Sequence, residues 1–308
     1  MKRALLTRGD RVGVVATGFA APKGALEAGV ASLRRRGLVP VLGDHLSCVD
    51  GYLAGDDAAR AGDLDAAVHD SSLAAIWFAR GGYGTARLLD RFDLPHLVRH
   101  PKLLLGYSDL TALFCAILRR ASTVCLHAPM VAELGRPEAF HAPSLSAALA
   151  GRATALRIAA RDVVRAGAAE GRLMGGNLTV LVHLLGTPYM PDLRGAILFL
   201  EETGEEAYRV DRLLQHLRSA GALAGVRGVL LGSFGVPPTT RTFPGDRDAD
   251  EVLRDHLLPL NVPVVRGVPA GHGPGKHTLP LGGVASLDTL RGRLAFDPRP
   301  ARRPTRRD

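Results

Sequence analysis

The chain has 308 residues, 46% of them hydrophobic and 22% charged, enough to bury the cores of one or two globular domains. No apolar run approaches the roughly 20 residues that a membrane-spanning helix needs, and the formal net charge of +9 raises the question of an anionic partner. Cys48, Cys115 and Cys125 lack CxxC or CxxxH spacing, which argues against both a disulfide framework and a cysteine zinc site.

Within the first ten residues the only apolar stretch is Ala4-Leu5-Leu6, too short for a signal peptide, so the expected location is cytoplasmic. Residues 11–16 then read as a short apolar strand and residues 23–36 as a helix that Gly37 stops. Residues 39–42 form the next strand, 56–70 an amphipathic helix and 73–78 another strand. Residues 84–92 are expected to be helical. A strand over 103–105, a helix from Asp109 to residue 120 and a strand over 123–126 complete this half. Cys115 and Cys125 lie in its apolar segments and read as core fillers. Strands alternating with helices predict a parallel sheet covered on both faces, an α/β domain over residues 1–134.

Residues 135–167 are Ala-rich and weakly patterned, with Pro137 and Pro143, and read as an inter-domain connection. The second domain, over 168–298, has expected strands at 194–200, 226–231 and 262–265 and a helix at 211–220. Its many Gly and Pro turns predict a smaller mixed α/β sheet or barrel. Residues 299–308 form a basic tail with Arg299, Arg302, Arg303, Arg306 and Arg307 against Asp308, so about four of the nine excess charges sit there. The Pro-Arg composition predicts disorder. Without aromatic residues between the basic ones, it does not read as a nucleic-acid surface.

Four places carry chemistry. In Lys102-Leu-Leu-Leu-Gly-Tyr-Ser108-Asp109 a buried strand runs into a helix start. Ser108 sits at that corner, where a hydroxyl projects from the carboxyl end of a parallel sheet. Ser108 or Asp109 serves equally well as a helix cap. Phe78-Ala-Arg80-Gly81-Gly82-Tyr83-Gly84 is a glycine-rich turn after a strand, able to offer N–H groups to an anion or simply to turn tightly. Glu201-Glu202 stands at the end of an apolar strand, where a carboxylate can orient a histidine or lie in solvent. His272, between Gly271 and Gly273, has an accessible imidazole suited to a general base, with His277 as the second candidate. His69, His96, His100 and His216 read as helix-surface residues. The order Ser108, Glu201, His272 is the nucleophile–acid–base order of α/β hydrolases, although Leu110 stands where the last glycine of G-x-S-x-G would be.

Six ordered motifs run through nearly the whole chain. They are Arg80-Gly-Gly-Tyr-Gly84 with Arg87-Leu-Leu89, Gly106-Tyr-Ser-Asp-Leu-Thr111, His127-Ala-Pro129, Gly175-Gly-Asn-Leu178, Leu198-Phe-Leu-Glu-Glu202 with Tyr208-Arg-Val-Asp-Arg212, and Gly271-His272 with Thr278-Leu-Pro-Leu-Gly282. In this the sequence resembles the LD-carboxypeptidases, serine peptidases that include the microcin C self-immunity peptidases. The resemblance implies a flavodoxin-like N-terminal domain carrying the nucleophile and a C-terminal domain supplying the other two triad members. It implies Ser108 as nucleophile, His272 as base and Glu201 as acid, with Glu202 as the alternative acid. It further implies the backbone N–H groups of Gly81 and Asp109 as oxyanion donors, and Arg80 and Glu202 as substrate contacts. The implied substrate is a cytoplasmic murein tetrapeptide losing its terminal D-Ala in cell-wall recycling, without metal or organic cofactor, by a homodimer without membrane or nucleic-acid partner. Two other readings stand beside it: hydrolysis of a peptidyl or aminoacyl nucleotide, and non-catalytic binding of an anion or peptide. The chain departs from the family at Ala16-Thr17-Gly18, where an Ala-Pro-Ser-like turn is usual, and at Ala128, where Gly is commoner.

Overall fold

A computed structural model describes residues 5–235 and 247–301. The expected βα alternation is present: β1 (Arg11–Val15), α1 (Lys23–Arg35), β2 (Val39–Leu42), α2 (Asp57–His69), β3 (Leu73–Phe78), α3 (Leu94–Arg99), β4 (Leu103–Gly106), α4 (Thr111–Arg120) and β5 (Cys125–His127). Strands β1 to β5 pair in parallel in the order β2-β1-β3-β4-β5, the flavodoxin-like arrangement. Sequence periodicity explains the helices. In α1, Leu26, Val30 and Leu33 face the sheet while both arginines of its last turn stay outside. In α2, Asp56 caps the first turn by accepting from Ala59 N–H.

Residues 84–92 are not a full helix. Only Thr85–Leu88 forms a short 3₁₀ turn, because Thr85 N–H donates to the Asp109 carboxylate and the chain turns to follow it. The expected connection over 135–167 carries more structure than its composition suggests. It holds α5 (Ala142–Leu149) and two short strands, β6 (Thr154–Arg157) and β7 (Val163–Arg165), at opposite edges of a second sheet. The strands are half exposed, so their hydrophobic alternation is faint.

That second sheet is mixed and eight-stranded, in the order β6-β14-β13-β8-β9-β10-β11-β7. It adds β8 (Ala168–Asn177), β9 (Ala196–Thr203), β10 (Gly228–Gly235), β11 (Val264–Val265), β13 (Gly283–Asp288) and β14 (Arg293–Pro300), with helices α6 (Leu178–Val182), α7 (Ala207–Ser219) and α8 (Ala249–Leu257). Strands β8, β9, β10 and β11 run parallel; the others are antiparallel. One short strand, β12 (Leu279–Leu281), leaves this half and pairs antiparallel with β5 in the first sheet. Arg299 and Pro300 belong to β14, where Arg299 pairs with Asp297, so the expected disorder does not begin at 299. Residues 302–308 of the basic tail lie outside the described residues.

One continuous apolar cluster joins the two sheets. Ile76, Phe78, Leu104 and Phe114 from the first pack with Leu173, Leu198 and Phe199 from the second. Each such side chain contributes roughly 1.5–3 kcal/mol on burial, and the two halves share this core through α4, which packs against β8 and α6. Cys115 and Cys125 are buried within this cluster. A polar tie reinforces it where α4 begins: Thr111 Oγ1 accepts from Asn177 N–H at 3.0 Å. The carboxyl ends of β3, β4 and β9 come together beside this tie. No helix among the described residues is long and apolar enough to cross a membrane.

Candidate active site

Ser108 follows β4 with φ of 61°, one of two non-glycine residues with positive φ among the described residues. A left-handed conformation costs an L-residue about 1–2 kcal/mol. Such strain persists where the surroundings impose it. Here the adjacent Asp109 imposes it: its carboxylate is buried and accepts from Thr85 N–H at 2.9 Å, tying the Ser108 corner to the glycine-rich turn. Beneath them Thr17 and Thr85 share a hydroxyl bond, and buried Arg60 donates to Thr17 O.

Three stretches of chain meet at the serine. His272 Nε2 lies 3.0 Å from Ser108 Oγ, and His272 Nδ1 lies 2.6 Å from Glu201 Oε2. The two carboxylates of the acidic pair take separate paths because successive strand residues point to opposite faces. Glu201 faces the histidine and is fully buried; its Oε1 has no hydrogen-bond partner among the described residues. Glu202 instead accepts from Asn177 Nδ2, Thr179 N–H and Thr203 N–H at 2.8–3.0 Å, capping α6. It meets neither the alternative expectation as the histidine's acid nor the expected substrate contact, since its oxygens are committed to the scaffold. The pair lies in β9 itself rather than in a solvated loop.

His277, the second candidate base, stacks on His141 with ring centroids 4.0 Å apart, and burial pushes its imidazole down to about 4. Arg80 is exposed at the rim; its guanidinium donates to Ala20 O and lies over the Phe19 ring. Gly81 stands against the serine: a Cβ built there would lie 3.5 Å from Ser108 Oγ and 3.3 Å from its Cβ. Gly271 has φ of 103°, and a Cβ on it would come within 2.8 Å of the Glu201 carboxylate and 2.6 Å of Ser233 Oγ. Gly271→Ala is expected to displace the imidazole and lower kcat at least ~100-fold, since small misplacements at a reacting centre carry that cost. Steady-state kinetics on the folded variant check it.

Sequence reasoning missed the support behind the imidazole. The Tyr107 ring packs against His272 and His127, with centroids at 5.0 and 5.4 Å, and its hydroxyl donates to Glu133. Lys276 Nζ donates to the same Glu133 oxygen at 2.6 Å and sits over the Tyr107 ring. The only sequence signal was Lys276 at four residues from His272 in a loop otherwise made of small residues. Lys276 is buried and Glu133 partly so, and removing one partner leaves the other charge uncompensated. Lys276→Met is expected to cost about 3–5 kcal/mol in urea unfolding, with Lys276→Met/Glu133→Gln recovering part of it.

Two buried groups give opposite pH responses. Burial holds the His127 imidazole at about 3, with His272 and Lys276 adding to the effect. This folded value lies below the unfolded one, so the stability it represents is full above about 6.5. It is lost as pH falls toward 3. Burial raises the Asp109 carboxyl to about 6, against the hydrogen bonds from Thr85 that favour its charge. Its contribution runs the other way, present below about 3.8 and lost as pH rises through 6. His127→Gln is therefore expected to fare better relative to the parent at pH 5 than at pH 7.5. Asp109→Asn should fare better at pH 7.5 than at pH 4. Urea unfolding of each variant at both pH values measures the two differences.

Family models described as the LD-carboxypeptidase N-terminal and C-terminal domains match residues 12–128 and 170–287. The chain belongs to the LD-carboxypeptidase family. Its relatives include a Streptomyces coelicolor protein classed among the carboxypeptidases, 41% identical over 98% of this chain and 97% of that protein. A murein tetrapeptide carboxypeptidase of Pseudomonas aeruginosa is 31% identical over 90% of this chain and 93% of its own length. Among solved structures, the muramoyltetrapeptide carboxypeptidase of Oxalobacter formigenes aligns with a TM-score of 0.84 at 30% identity, covering 94% of this chain and all of that one. The microcin C7 self-immunity protein bound to a glutamyl sulfamoyl guanosine aligns at 0.83 with 24% identity, over 96% and 98%, a likeness of fold. The two-domain LD-carboxypeptidase fold expected from the sequence is thus present, and membership places the chain among peptide hydrolases.

Proposed function

We propose that this family member is a serine carboxypeptidase acting through Ser108, His272 and Glu201 on the bond before a terminal D-amino acid. The single observation that carries this reading is the unbroken chain of contacts from the serine hydroxyl through the imidazole to a buried carboxylate. Glu201 accepts from His272 Nδ1–H, which leaves Nε2 free to take the proton of Ser108. The Ser108 oxygen attacks the carbonyl, and the N–H groups of Gly81 and Asp109 receive the oxyanion. His272 then gives the proton to the departing amine. Water, deprotonated by the same imidazole, releases the acyl group and restores the hydroxyl.

The substrate in this reading is a murein tetrapeptide that loses D-Ala, as in the names of the Pseudomonas and Oxalobacter relatives. Arg80, at the rim beside the glycine-rich turn, has guanidinium N–H groups suited to the free terminal carboxylate. We place the reaction in the cytoplasm, on recycled peptides, with the protein acting as a homodimer and without metal or organic cofactor. The test is incubation with tri-, tetra- and pentapeptide stems followed by mass spectrometry, with chelator present in a parallel set. Release of D-Ala from the tetrapeptide, by the parent and not by Ser108→Ala, is the expected result. Labelling of Ser108 by a serine-directed phosphonate separates this from a non-catalytic binder, which would stay unmodified.

A second reading draws on one observation. Phe19, Tyr52 and Tyr83 form a run of rings with centroids 5.6 and 6.2 Å apart, next to the glycine-rich turn. Tyr52 and Tyr83 are exposed. The sequence offered no such platform, because Trp77 is buried and donates to Pro129 O. These rings suit a nucleobase, as an aminoacyl-nucleotide substrate would require. Cleavage of an adenylated aminoacyl analogue in preference to the tetrapeptide would establish it.

A further inference from the structure

Away from the serine, three histidines and two aspartates gather where the last turn of α2 meets α3. His69 Nε2 faces Asp93 Oδ2 at 3.4 Å. One ligand atom each from His69, Asp93 and His96 falls within 4.8 Å of the others. The His96 ring lies 4.3 Å from that of His69 and 4.7 Å from that of His100.

Hydrogen bonds around the cluster hold its members in place. His69 Nδ1 lies 3.0 Å from the Asp65 carbonyl oxygen, which can only accept. Nδ1 therefore donates to that carbonyl, and Nε2 is the ring atom that faces Asp93. Asp93 is fixed in turn: its backbone N–H donates to Asp65, and its Oδ1 caps α3 by accepting from His96 N–H. Its other oxygen, Oδ2, faces His69 Nε2 at 3.4 Å. In a tetrahedral site with bonds of about 2.0–2.1 Å, neighbouring ligand atoms stand roughly 3.3 Å apart, which matches this separation. A histidine whose second nitrogen is held by a backbone carbonyl is also the usual setting of a metal-ligating imidazole.

We propose that His69, Asp93 and His96 bind a borderline divalent transition-metal ion such as Zn²⁺. Two imidazoles and one carboxylate favour Zn²⁺, Ni²⁺ or Cu²⁺ over the oxygen-seeking Mg²⁺ and Ca²⁺. His100, one helical turn beyond His96, or water supplies the fourth position. The ion clips the end of α2 to α3 and closes the intervening chain, which includes β3 and the glycine-rich turn. Because α2 feeds β3 at the end of the sheet opposite the Ser108 corner, the ion takes no part in the bond cleavage.

The test is titration of the chelator-stripped full-length protein with Zn²⁺ alone, by calorimetry and by elemental analysis after dialysis. One Zn²⁺ per chain is expected, together with a rise in thermal midpoint as binding to the folded state demands. His69→Gln and His96→Gln should each weaken binding ~10-fold or more and abolish the midpoint shift. His141→Gln and His272→Gln should bind Zn²⁺ like the parent. Circular dichroism confirms that the surface variants fold. Zn²⁺ binding that survives in His69→Gln/His96→Gln, or the lack of a stoichiometric ion in the parent, would overturn the proposal.

Discussion

Ser108→Ala is expected to lower kcat roughly 10⁴- to 10⁶-fold, with KM for the tetrapeptide little changed. In the proposed mechanism the hydroxyl oxygen becomes covalently bound, and alanine offers no replacement for it. His272 Nε2 stands at hydrogen-bond distance from Ser108 Oγ and has no other nucleophile to activate among its contacts. Residual turnover, if any, would come from the glycine-rich turn and substrate positioning. Folding is not endangered: alanine keeps the Cβ, although it adopts positive φ no more readily than serine. Stopped assays with separate determination of kcat and KM decide the matter. Retention of near-parental cleavage would remove Ser108 from the chemistry.

Glu201→Gln is expected to cost about 10⁴-fold in kcat while leaving the backbone in place. The carboxylate only accepts, and so dictates that His272 carries its proton on Nδ1. A glutamine amide can turn its NH₂ toward the imidazole and favour the other tautomer. Nε2 would then carry the proton and cease to act as a base for Ser108. The geometry also predicts asymmetry between neighbours. Glu202→Gln, whose native carboxylate accepts from Asn177, Thr179 and Thr203, should lower the thermal midpoint and leave the identity of the base unaffected. A kcat loss in Glu202→Gln equal to that in Glu201→Gln would contradict the separation of roles.

The sequence made the first sheet readable because β1, β3 and β4 are short apolar runs between helices with clear periodicity. It also located Ser108, Glu201 and His272, because a strand-to-helix corner, a strand end and a glycine-flanked imidazole each leave a local mark. What it could not convey was how one residue differs from the next when both are acidic. Glu201 and Glu202 diverge by the side-chain alternation of β9, and deciding which faces the histidine requires knowing what lies on each face. The edge strands β6 and β7 were hidden for a related reason: half-exposed residues such as those over 154–157 carry no alternation strong enough to distinguish them from a loop. The Tyr107–Glu133–Lys276 support is invisible locally because its members come from three separate parts of the chain. The cluster of His69, Asp93 and His96 was legible only as separate surface residues; the meeting of α2 with α3 makes it a group.

The excursion of β12 into the first sheet has a bearing on how the chain can be divided. Without it, β5 would end that sheet with a free row of peptide groups over Cys125–His127, an invitation to pair with other molecules. The strip that shields this border comes directly after the loop bearing His272, so the chain's second half guards the first as well as completing it. Expressing residues 1–134 as an autonomous fragment would therefore create a sticky margin in place of a finished one. The apparent seam in the middle of the polypeptide is not a place where evolution or an engineer can cut cleanly.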